Sequence, residues 1–431
     1  MASEKGLIYV CVSSEFNVAE FESCLLRRPD YLVLVVSDYQ PARDGADRLE
    51  EAIRRDLPET RLLRTDREAG ERLDARRLEN CADWGRKTLA GIMAQCPADH
   101  YRVLNITGGN KTLMLSLLHS GAIQWDWLDY KPMGENCVER FSCQDHRIEY
   151  HAREPLPLVS PSQVAGLYNR HVEARRPNAL FDAPGSLAAA RAIWEGLAGA
   201  DGALLALFAS LETIWVTRHN EKPFRGASLS LPAQTLLNGE AFTENHRRWL
   251  EQWHALCPQA LAVNGQELLM PGNNPKGLGK ELRRWLCGDW LEQLVYHWLE
   301  QSLSEQERGT QLARNLVVNP SESRQSDSSR ETDILLHHGG RTSVIEIKAD
   351  LAPGQHVKQP TEQVSSLADR LGKTGKILFA GPQFVSRLRR QGDDYEARFM
   401  DRCKAADVHY VTSRQALCKV LGLTGRTPSE S

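Results

Sequence analysis

The sequence RETDILLHHGGRTSVIEIKAD, residues 330–350, decides how the C-terminal part of this 431-residue chain folds. It contains two runs of alternating apolar and polar residues, 332–336 and 342–348, with Gly339 and Gly340 between them. Alternation with a period of two is typical of a β-strand, and two glycines between such runs are typical of a tight turn. The stretch therefore predicts a β-hairpin.

Three charged side chains on this hairpin predict a metal site. Asp333 lies on the first strand, whereas Glu346 and Lys348 lie two residues apart on the second, so their side chains leave the same face roughly 7 Å apart. Two carboxylates on adjacent strands suit Mg²⁺ or Mn²⁺, which prefer oxygen ligands. The alternative is that these charges only protect an edge strand from aggregation. We interpret His337 and His338, at the hairpin tip, as turn residues.

The composition is that of a globular protein with two or three domains. Hydrophobic residues make up 41% and charged residues 25% of the chain, and the net charge of -3 excludes a uniformly basic surface but not a local basic channel. The sequence has no apolar run near 18 residues and no signal-peptide pattern, and its ten cysteines form no CxxC pair. We therefore expect a cytoplasmic protein with reduced cysteines and no membrane span.

Strand and helix patterns alternate over residues 7–151. The nearly continuous apolar run YLVLVVS is typical of a strand covered on both faces, and strict β/α alternation predicts an α/β fold with a doubly wound parallel sheet. Residues 137–151 predict an added hairpin, and a proline-rich stretch at 155–161 marks a boundary. The predicted strands cover 7–13, 31–37, 61–65, 101–107 and 125–130, and the predicted helices cover 17–27, 47–56, 73–95 and 111–120.

The fourth strand ends in the loop NITGGNKT, residues 105–112, which leads directly into a helix. Glycines let the backbone approach a ligand, the helix N-terminus presents free amides, and Lys111 adds a positive charge, so the loop suits phosphate. The loop 13–17 follows the first strand at the same sheet edge. Asn110 replaces the second glycine of a Walker loop, and no dinucleotide fingerprint follows the first strand, so neither loop type is predicted. A purely structural Gly-Gly turn is the alternative.

The remaining sequence divides into two parts. Residues 156–279 predict a mostly helical connecting domain, for which a winged-helix DNA-binding unit is the alternative. Residues 280–431 predict the order helix, three strands, helix, strand, helix, strand, with a polar loop at 319–330 that is long enough to close over a nucleic-acid strand. Basic residues near the predicted metal site that could contact phosphates are Arg314, Arg324, Arg330, Lys358 and Arg370.

This order of elements, with Asp333 and the Glu346-x-Lys348 sequence on its second and third strands, resembles the PD-(D/E)xK nuclease superfamily, whose fold is restriction-endonuclease-like. Thr332 replaces the proline of the motif. The resemblance implies that Asp333, Glu346 and the carbonyl of Ile347 hold Mg²⁺ or Mn²⁺. Lys348 would then orient the attacking water or stabilise charge on the phosphate. The resemblance also implies an acid from the preceding helix, which also reaches the metal, and a polar residue from the following helix: Glu292 and Gln363.

The strand–TGGNKT–helix pattern, together with a first loop that contains serine and asparagine, resembles the CRISPR-associated Rossmann-fold (CARF) domain. Members of this family dimerise and bind a cyclic oligoadenylate across the two-fold axis. The resemblance covers about residues 5–150. It implies these ligand-contacting residues: Ser13, Ser14, Asn17, Thr107, Gly108, Gly109, Asn110, Lys111 and Thr112.

The two halves together are similar to the CARF nucleases of type III CRISPR immunity. They imply a CARF domain at 1–155, the connecting domain at 156–279 and a PD-(D/E)xK nuclease domain at 280–431. The expected protein is a homodimeric, metal-dependent nuclease that a cyclic oligoadenylate, the tetra-adenylate by family likeness, switches on to cut DNA, RNA or both. Two alternatives stay open: a sensor with an inactive nuclease-like domain, and a constitutive restriction-type nuclease with a dimerisation domain.

Overall fold

The computed structural model describes residues 5–68, 73–119, 121, 123–132, 135–144, 147–175, 178–209, 229–232, 242–258, 262–264, 267–270, 281–282, 284–320, 330–350, 358–371 and 374–423. These residues form three β-sheets with helices packed around them. Within them no single helix is long and apolar enough to cross a membrane. Two consecutive helices, Ser186–Ala198 and Gly202–Ala209, reach the required length and composition only when they are taken together, and the angle between them is 106°.

The N-terminal part is a seven-stranded sheet. Its strands are β1 (Leu7–Val12), β2 (Tyr31–Val35), β3 (Arg61–Arg64), β4 (Tyr101–Asn105), β5 (Trp127–Tyr130), β6 (Cys137–Gln144) and β7 (Arg147–Pro155). They lie in the order β3-β2-β1-β4-β5-β6-β7. The first five in this order pair in parallel, and β6 and β7 add an antiparallel hairpin. The predicted α/β fold with its added hairpin is therefore confirmed.

Helices cover both faces of this sheet, so its central strands are apolar on both sides. In β1, Ile8 and Val10 pack into one core, whereas Tyr9 and Cys11 pack into the other. Because the parallel strands end at one edge, the loops after β1, β2 and β4 lie close together. The helices of this part are Val18–Arg27, Gln40–Asp56, Thr65–Glu68, Leu78–Trp84, Ala90–Met93 and Lys111–His119, with a π-helical turn at Gly85–Leu89.

The connecting region contains strands as well as helices. Its strands are β8 (Arg170–Ala174), β9 (Leu229–Pro232), β10 (Ala262–Asn264) and β11 (Glu267–Met270), of which the last three form a small sheet in the order β10-β11-β9. Its described helices are Pro161–Gly166, Ser186–Ala198, Gly202–Ala209 and Glu244–Leu256. The prediction of a mostly helical region is thus incomplete.

A six-stranded sheet forms the C-terminal part. It consists of β8 together with β12 (Leu312–Pro320), β13 (Arg330–His338), β14 (Arg341–Lys348), β15 (Gly375–Ala380) and β16 (Val408–Val411). The order is β16-β15-β14-β13-β12-β8, so the hairpin strands are central. The helices of this part are Trp290–Ser302, Glu305–Gln311, Lys358–Arg370, Pro382–Arg390, Asp393–Ala405 and Arg414–Val420.

The hairpin predicted from residues 330–350 is present. Strands β13 and β14 pair antiparallel from Ile334 opposite Ile345 to His338 opposite Arg341. Gly339 and Gly340 connect them with φ of 59° and 67°, a left-handed conformation that glycine adopts at little cost. His338 and its neighbour His337 lie on β13 itself, so the interpretation of both histidines as turn residues is wrong.

The connecting region shares its core with the C-terminal sheet. Trp249 and Trp253 of the connecting helix Glu244–Leu256 pack in the same apolar cluster as Trp285 and Trp298. Strand β8 also pairs antiparallel with β12 and so extends the C-terminal sheet. The domain boundaries stay predictions, but the chain on either side of residue 280 is one packing unit here. The sequence PGNNPKGLG at 271–279 also predicts a loop, which lies outside the described residues.

Candidate metal centre and nucleotide-binding site

The β13–β14 hairpin brings the three predicted charged residues into one connected group. The backbone N–H of Ile347 donates to Asp333 Oδ2 at 2.6 Å, across the two strands. Lys348 Nζ donates to Glu346 Oε1, also at 2.6 Å, and Glu346 is 8% exposed. Since neither β13 nor β14 is an edge strand, these charges do not serve to protect an edge.

The electrostatics of this group are those of crowded, buried carboxylates. Burial, followed by the neighbouring charge of Glu346, raises the pKa of Asp333 to about 8. Burial opposes the charge of Lys348, but the carboxylates of Glu346 and Asp333 outweigh it and raise the lysine pKa. The lysine therefore stays protonated, and one more cation would stabilise the ionised acids.

Glu292 belongs electrostatically to the same group. It lies in the first turn of the helix Trp290–Ser302. Burial raises its pKa well above the usual range, and the charges of Asp333, Asp289 and Glu346 add to this. The sequence analysis missed Asp289, which precedes Glu292 by three residues on the same helical side and accepts a 2.8 Å hydrogen bond from Asn178 Nδ2. The spacing of these two acids in GDWLEQ was the available signal.

The chemistry of these donors fits a hard divalent cation. Two carboxylates on adjacent strands repel each other in a buried environment, and a cation between them would remove that repulsion. Among the residues that the structure describes, no three His, Cys, Asp or Glu side chains surround one point. A site here would therefore need a non-side-chain donor, and the carbonyl of Ile347 stays our prediction for it, as does the ligand role of Glu292.

The structure treats the remaining residues that were predicted near the metal site in different ways. Gln363 is exposed on the helix Lys358–Arg370, and its role stays a prediction. Arg314 lies 4.8 Å from the ring centres of both Phe181 and Tyr296, and 3.7 Å from Asp182, so it is held on the protein. The backbone carbonyl of Arg370 accepts a bond from Arg170. Residues 321–329, with Arg324, and the side chains of Arg330 and Lys358 lie outside the described part.

The glycine loop after β4 has a well-defined shape at the carboxyl edge of the first sheet. Asn110 Oδ1 accepts from the Thr112 backbone N–H at 2.8 Å, and Asn110 Nδ2 donates to Ala75 O at 3.1 Å, so Asn110 caps the helix and ties it to a neighbouring loop. Lys111 Nζ is exposed and donates to Thr107 O at 3.1 Å. An exposed ammonium beside a helix N-terminus suits a phosphate ligand.

The predicted first loop is built mainly by its own hydrogen bonds. Ser13 Oγ donates to Ala42 O at 2.8 Å, and Ser14 N donates to Asn17 Oδ1 at 2.9 Å. Ser13 and Asn17 are buried, 4% and 2% exposed. These two residues therefore shape the loop, whereas Ser14, half-buried, retains a surface for a ligand.

A cavity of about 620 Å³ lies between these loops. Ser13, Ser14, Gly109 and Asn110 line it, as predicted. Other residues of the cavity were not predicted from the sequence, although the loop after β2 also follows a parallel strand and so ends at the same sheet edge. These additional lining residues include Ser37, Asp38, Tyr39, Gln40 and Arg76.

The Gly109→Ala variant should destabilise the protein by about 1–3 kcal/mol and lower its affinity for any ligand of this cavity. Gly109 has φ of 76°, and a Cβ there would clash with the side chain of Val12. Urea unfolding and ligand titration measure the two effects. Gly91→Ala is the matched control, because a Cβ at this helical glycine meets nothing within 4 Å. Equal stability of both variants would contradict the structure.

Glu20 lies directly under the glycine loop. Its carboxylate oxygen Oε1 has no hydrogen-bond partner among the described residues, and a Cβ at Gly108 would clash with it. The side chain is 2% exposed. Burial raises its pKa to about 7 from an ordinary value of 4.5, against the opposing charges of Lys131 and Lys111.

This raised pKa predicts a pH-dependent stability. Between pH 4.5 and about 7 the folded state holds a proton on Glu20 that the unfolded state has released, so the stabilisation present below pH 4.5 is lost as the pH rises towards 7. The free energy of unfolding of Glu20→Gln, relative to that of wild type, should therefore increase by ~1–3 kcal/mol from pH 5 to pH 8, as measured by urea unfolding. Glu51→Gln, at an exposed position, is the control. A gain that is the same at both pH values would contradict this prediction.

Two solved proteins share this fold. VC1899 from Vibrio cholerae superposes with a TM-score of 0.68 over 97% of this chain and 99% of its own, at 14% identity. Can2 from Sulfobacillus thermosulfidooxidans, solved in complex with cyclic tetra-adenylate, gives a TM-score of 0.63 over 96% and 97%, at 13% identity. A type III CRISPR defence DNA nuclease activated by cyclic oligoadenylate gives a TM-score of 0.47 over 88% of this chain and 45% of its own, at 16% identity.

At these identities the likeness establishes the shared arrangement of the whole chain. No protein-family model and no curated protein matches the sequence. The fold of 96% of this chain is therefore shared with a protein that was solved in complex with cyclic tetra-adenylate. The roles of individual residues rest on the geometry described above.

Proposed function

We propose that this protein is a homodimeric, metal-dependent nuclease that a cyclic oligoadenylate activates in type III CRISPR antiviral defence. One observation supports this proposal most. Both candidate sites lie on a fold that this chain shares, over nearly its whole length, with Can2, which was solved in complex with cyclic tetra-adenylate. One site is a phosphate-suited loop at a parallel sheet edge, and the other is a buried acid pair with a lysine on a central hairpin.

The residues of the hairpin have distinct roles in the proposed reaction. Asp333, Glu346, the carbonyl of Ile347 and Glu292 would hold Mg²⁺ or Mn²⁺, which polarises the scissile phosphate when bound. Lys348 stays protonated beside Glu346, so its role is to stabilise negative charge on the phosphate rather than to accept a proton. The proposed substrate is DNA, RNA or both, cut without strong sequence preference. Such cutting depends on contacts to the phosphates rather than to the bases.

The cavity at the first sheet suits an activator with several phosphates. Gly109 and Asn110 of the glycine loop line this cavity, and the exposed Lys111 directly follows Asn110 in the chain, where it would add positive charge for a phosphate. A two-fold ring such as cyclic tetra-adenylate would receive one Lys111 from each subunit of a homodimer. Next to this loop, Leu78 and Leu115 are 54% and 52% exposed on adjacent helices, and they offer an apolar surface to the second copy.

One experiment separates this proposal from its rivals. The purified chain is titrated with Mn²⁺ or Mg²⁺ and with cyclic oligoadenylates of different ring size, against labelled single- and double-stranded DNA and RNA. We expect cutting that needs both metal and activator and that stops with EDTA. Activator binding without cutting would identify a sensor with an inactive nuclease-like domain. Equal cutting without activator would identify a constitutive nuclease.

A further inference from the structure

A buried cluster of charged residues joins the hairpin tip to the N-terminal sheet. His337 Nε2 donates to Glu22 Oε1 at 2.9 Å, and Lys131 forms an ion pair with the other oxygen of Glu22. Glu22 and His337 are each 1% exposed, and Lys131 is 7% exposed. The contact connects residues 315 positions apart in the chain. Buried charges of this kind are normally retained only where they are paired.

On the hairpin side, the cluster is attached to both strands. His337 lies on β13, and its Nδ1 lies 3.0 Å from Thr342 Oγ1 on β14. The turn residue Gly340 touches the Lys131 ammonium so closely that a Cβ there would clash with it. His337 is four residues from Asp333, or roughly 13 Å along the strand. Thr342 lies at the same separation from Glu346, and the paired residues between Ile334 opposite Ile345 and His338 opposite Arg341 connect the contact to the positions next to the acids.

On the nucleotide side, the cluster is attached to the loops that line the proposed activator site. The backbone N–H of Lys131 donates to Thr107 Oγ1, in the glycine loop, at 2.9 Å. Glu22 lies on the helix Val18–Arg27, which begins directly after the first loop. Two residues before Glu22, the same helix carries Glu20, whose carboxylate lies against the position of a Cβ at Gly108. A ligand that moves either loop therefore moves a member of the cluster.

We propose that the Glu22–Lys131–His337 cluster is the connection through which the activator site controls the nuclease hairpin. The inference rests on the proposed function and names its regulation. Breaking one partner of a buried ion pair leaves an uncompensated charge, which is strongly unfavourable. The hairpin therefore moves together with Glu22 and Lys131. If the loops of the activator site have two arrangements, an activator that binds one of them more tightly favours that arrangement, and this changes the position of Asp333 and Glu346 on the hairpin.

Glu22 is expected to stay ionised and paired throughout this motion. Burial opposes its charge, but the hydrogen bond from His337 and the positive charge of Lys131 outweigh burial and lower the pKa of Glu22. The charge of Glu20 also acts on this cluster, since Glu20 interacts electrostatically with both Glu22 and Lys131. The backbone carbonyl of Glu135 lies near Gly340, whereas the carboxylate of Glu135 is paired with Arg153. The connection therefore acts through geometry and pairing and needs no change of protonation.

The test compares Glu22→Gln with wild type in full-length protein. The ratio of cutting rates with and without cyclic tetra-adenylate should fall at least about tenfold, while the Kd for cyclic tetra-adenylate, measured by calorimetry, stays within about threefold. Glu50→Gln is the matched control, because Glu50 is also buried and bonded to an arginine, Arg64, but lies away from the hairpin. Its activation ratio should stay within about twofold of wild type.

Two further variants keep the test decisive. Thr342→Val removes only the hydroxyl that contacts His337, and it should lower the activation ratio about threefold even if Glu22→Gln fails to fold. In a double-mutant cycle, Glu22→Gln combined with His337→Gln should be no worse than the stronger single variant. Wild-type protein that responds to the activator, with an unchanged ratio in folded Glu22→Gln and in Thr342→Val, would overturn the connection alone. Wild-type protein that does not respond would overturn the proposed function and the connection with it.

Discussion

The Lys348→Ala variant is expected to cut nucleic acid about 10²–10³ times more slowly than wild type at saturating metal and activator. Lys348 Nζ lies 2.6 Å from Glu346, and the pKa of the lysine is raised by the two hairpin acids, so its positive charge is maintained at the point where charge would develop on the phosphate. Without it the acids face the substrate phosphate uncompensated. Initial rates on a labelled strand measure the loss.

The matched control for this variant is Lys376→Ala. Lys376 lies on the neighbouring strand β15, with Nζ 2.9 Å from Asp369 at the surface. Pairs of this kind contribute little, so we expect rates within about twofold of wild type. Both variants should bind cyclic tetra-adenylate with wild-type affinity. A native cutting rate in Lys348→Ala would refute the assignment of the hairpin as the active site.

The Lys111→Ala variant is expected to bind cyclic tetra-adenylate about 10–100 times more weakly and to need correspondingly more activator for cutting. Lys111 is exposed at the helix N-terminus, where its ammonium contacts only the Thr107 carbonyl among the bonds described, so it is available to a phosphate. A charge-assisted hydrogen bond to phosphate has about this strength. Calorimetry gives the affinity, and cutting at saturating activator should approach the wild-type rate.

Two substitutions control this second result. Lys111→Arg keeps the charge and should recover most of the affinity. Lys87→Ala removes an exposed lysine of the same part of the chain, on the turn Gly85–Leu89, and should leave the affinity unchanged. If Lys87→Ala and Lys111→Ala weaken binding equally, the effect is one of general charge, and the glycine loop is not the activator site.

Local patterns were sufficient wherever a single segment carries its own signal. The period-two alternation and the two glycines of residues 330–350 predicted the β13–β14 hairpin, and the structure confirms it. The apolar runs of the N-terminal part predicted five parallel strands and one hairpin, which are also present. Alternation also predicted that Glu346 and Lys348 share a face, and their side chains are bonded to each other.

Contacts between distant segments were beyond such patterns. His337 was interpreted as a turn residue, yet it is buried against Glu22 of the first sheet. Arg314 was expected to face substrate, yet it packs between Phe181 and Tyr296. In each case a partner lies more than 100 positions away in the chain, and no local period reports which elements will pack together.

The order of residues along the chain was thus enough to predict the five parallel strands of the first sheet and the β13–β14 hairpin with its tight turn, because period and turn geometry act over a few residues. The chemistry assigned to the two sites stays a prediction. Packing settled the rest. It placed strand β8 beside β12, merged the connecting region with the C-terminal core, and set the buried contact between His337 and Glu22 that joins the C-terminal hairpin to the N-terminal part. These features depend on which apolar faces pack against each other, and that is decided only in the folded chain.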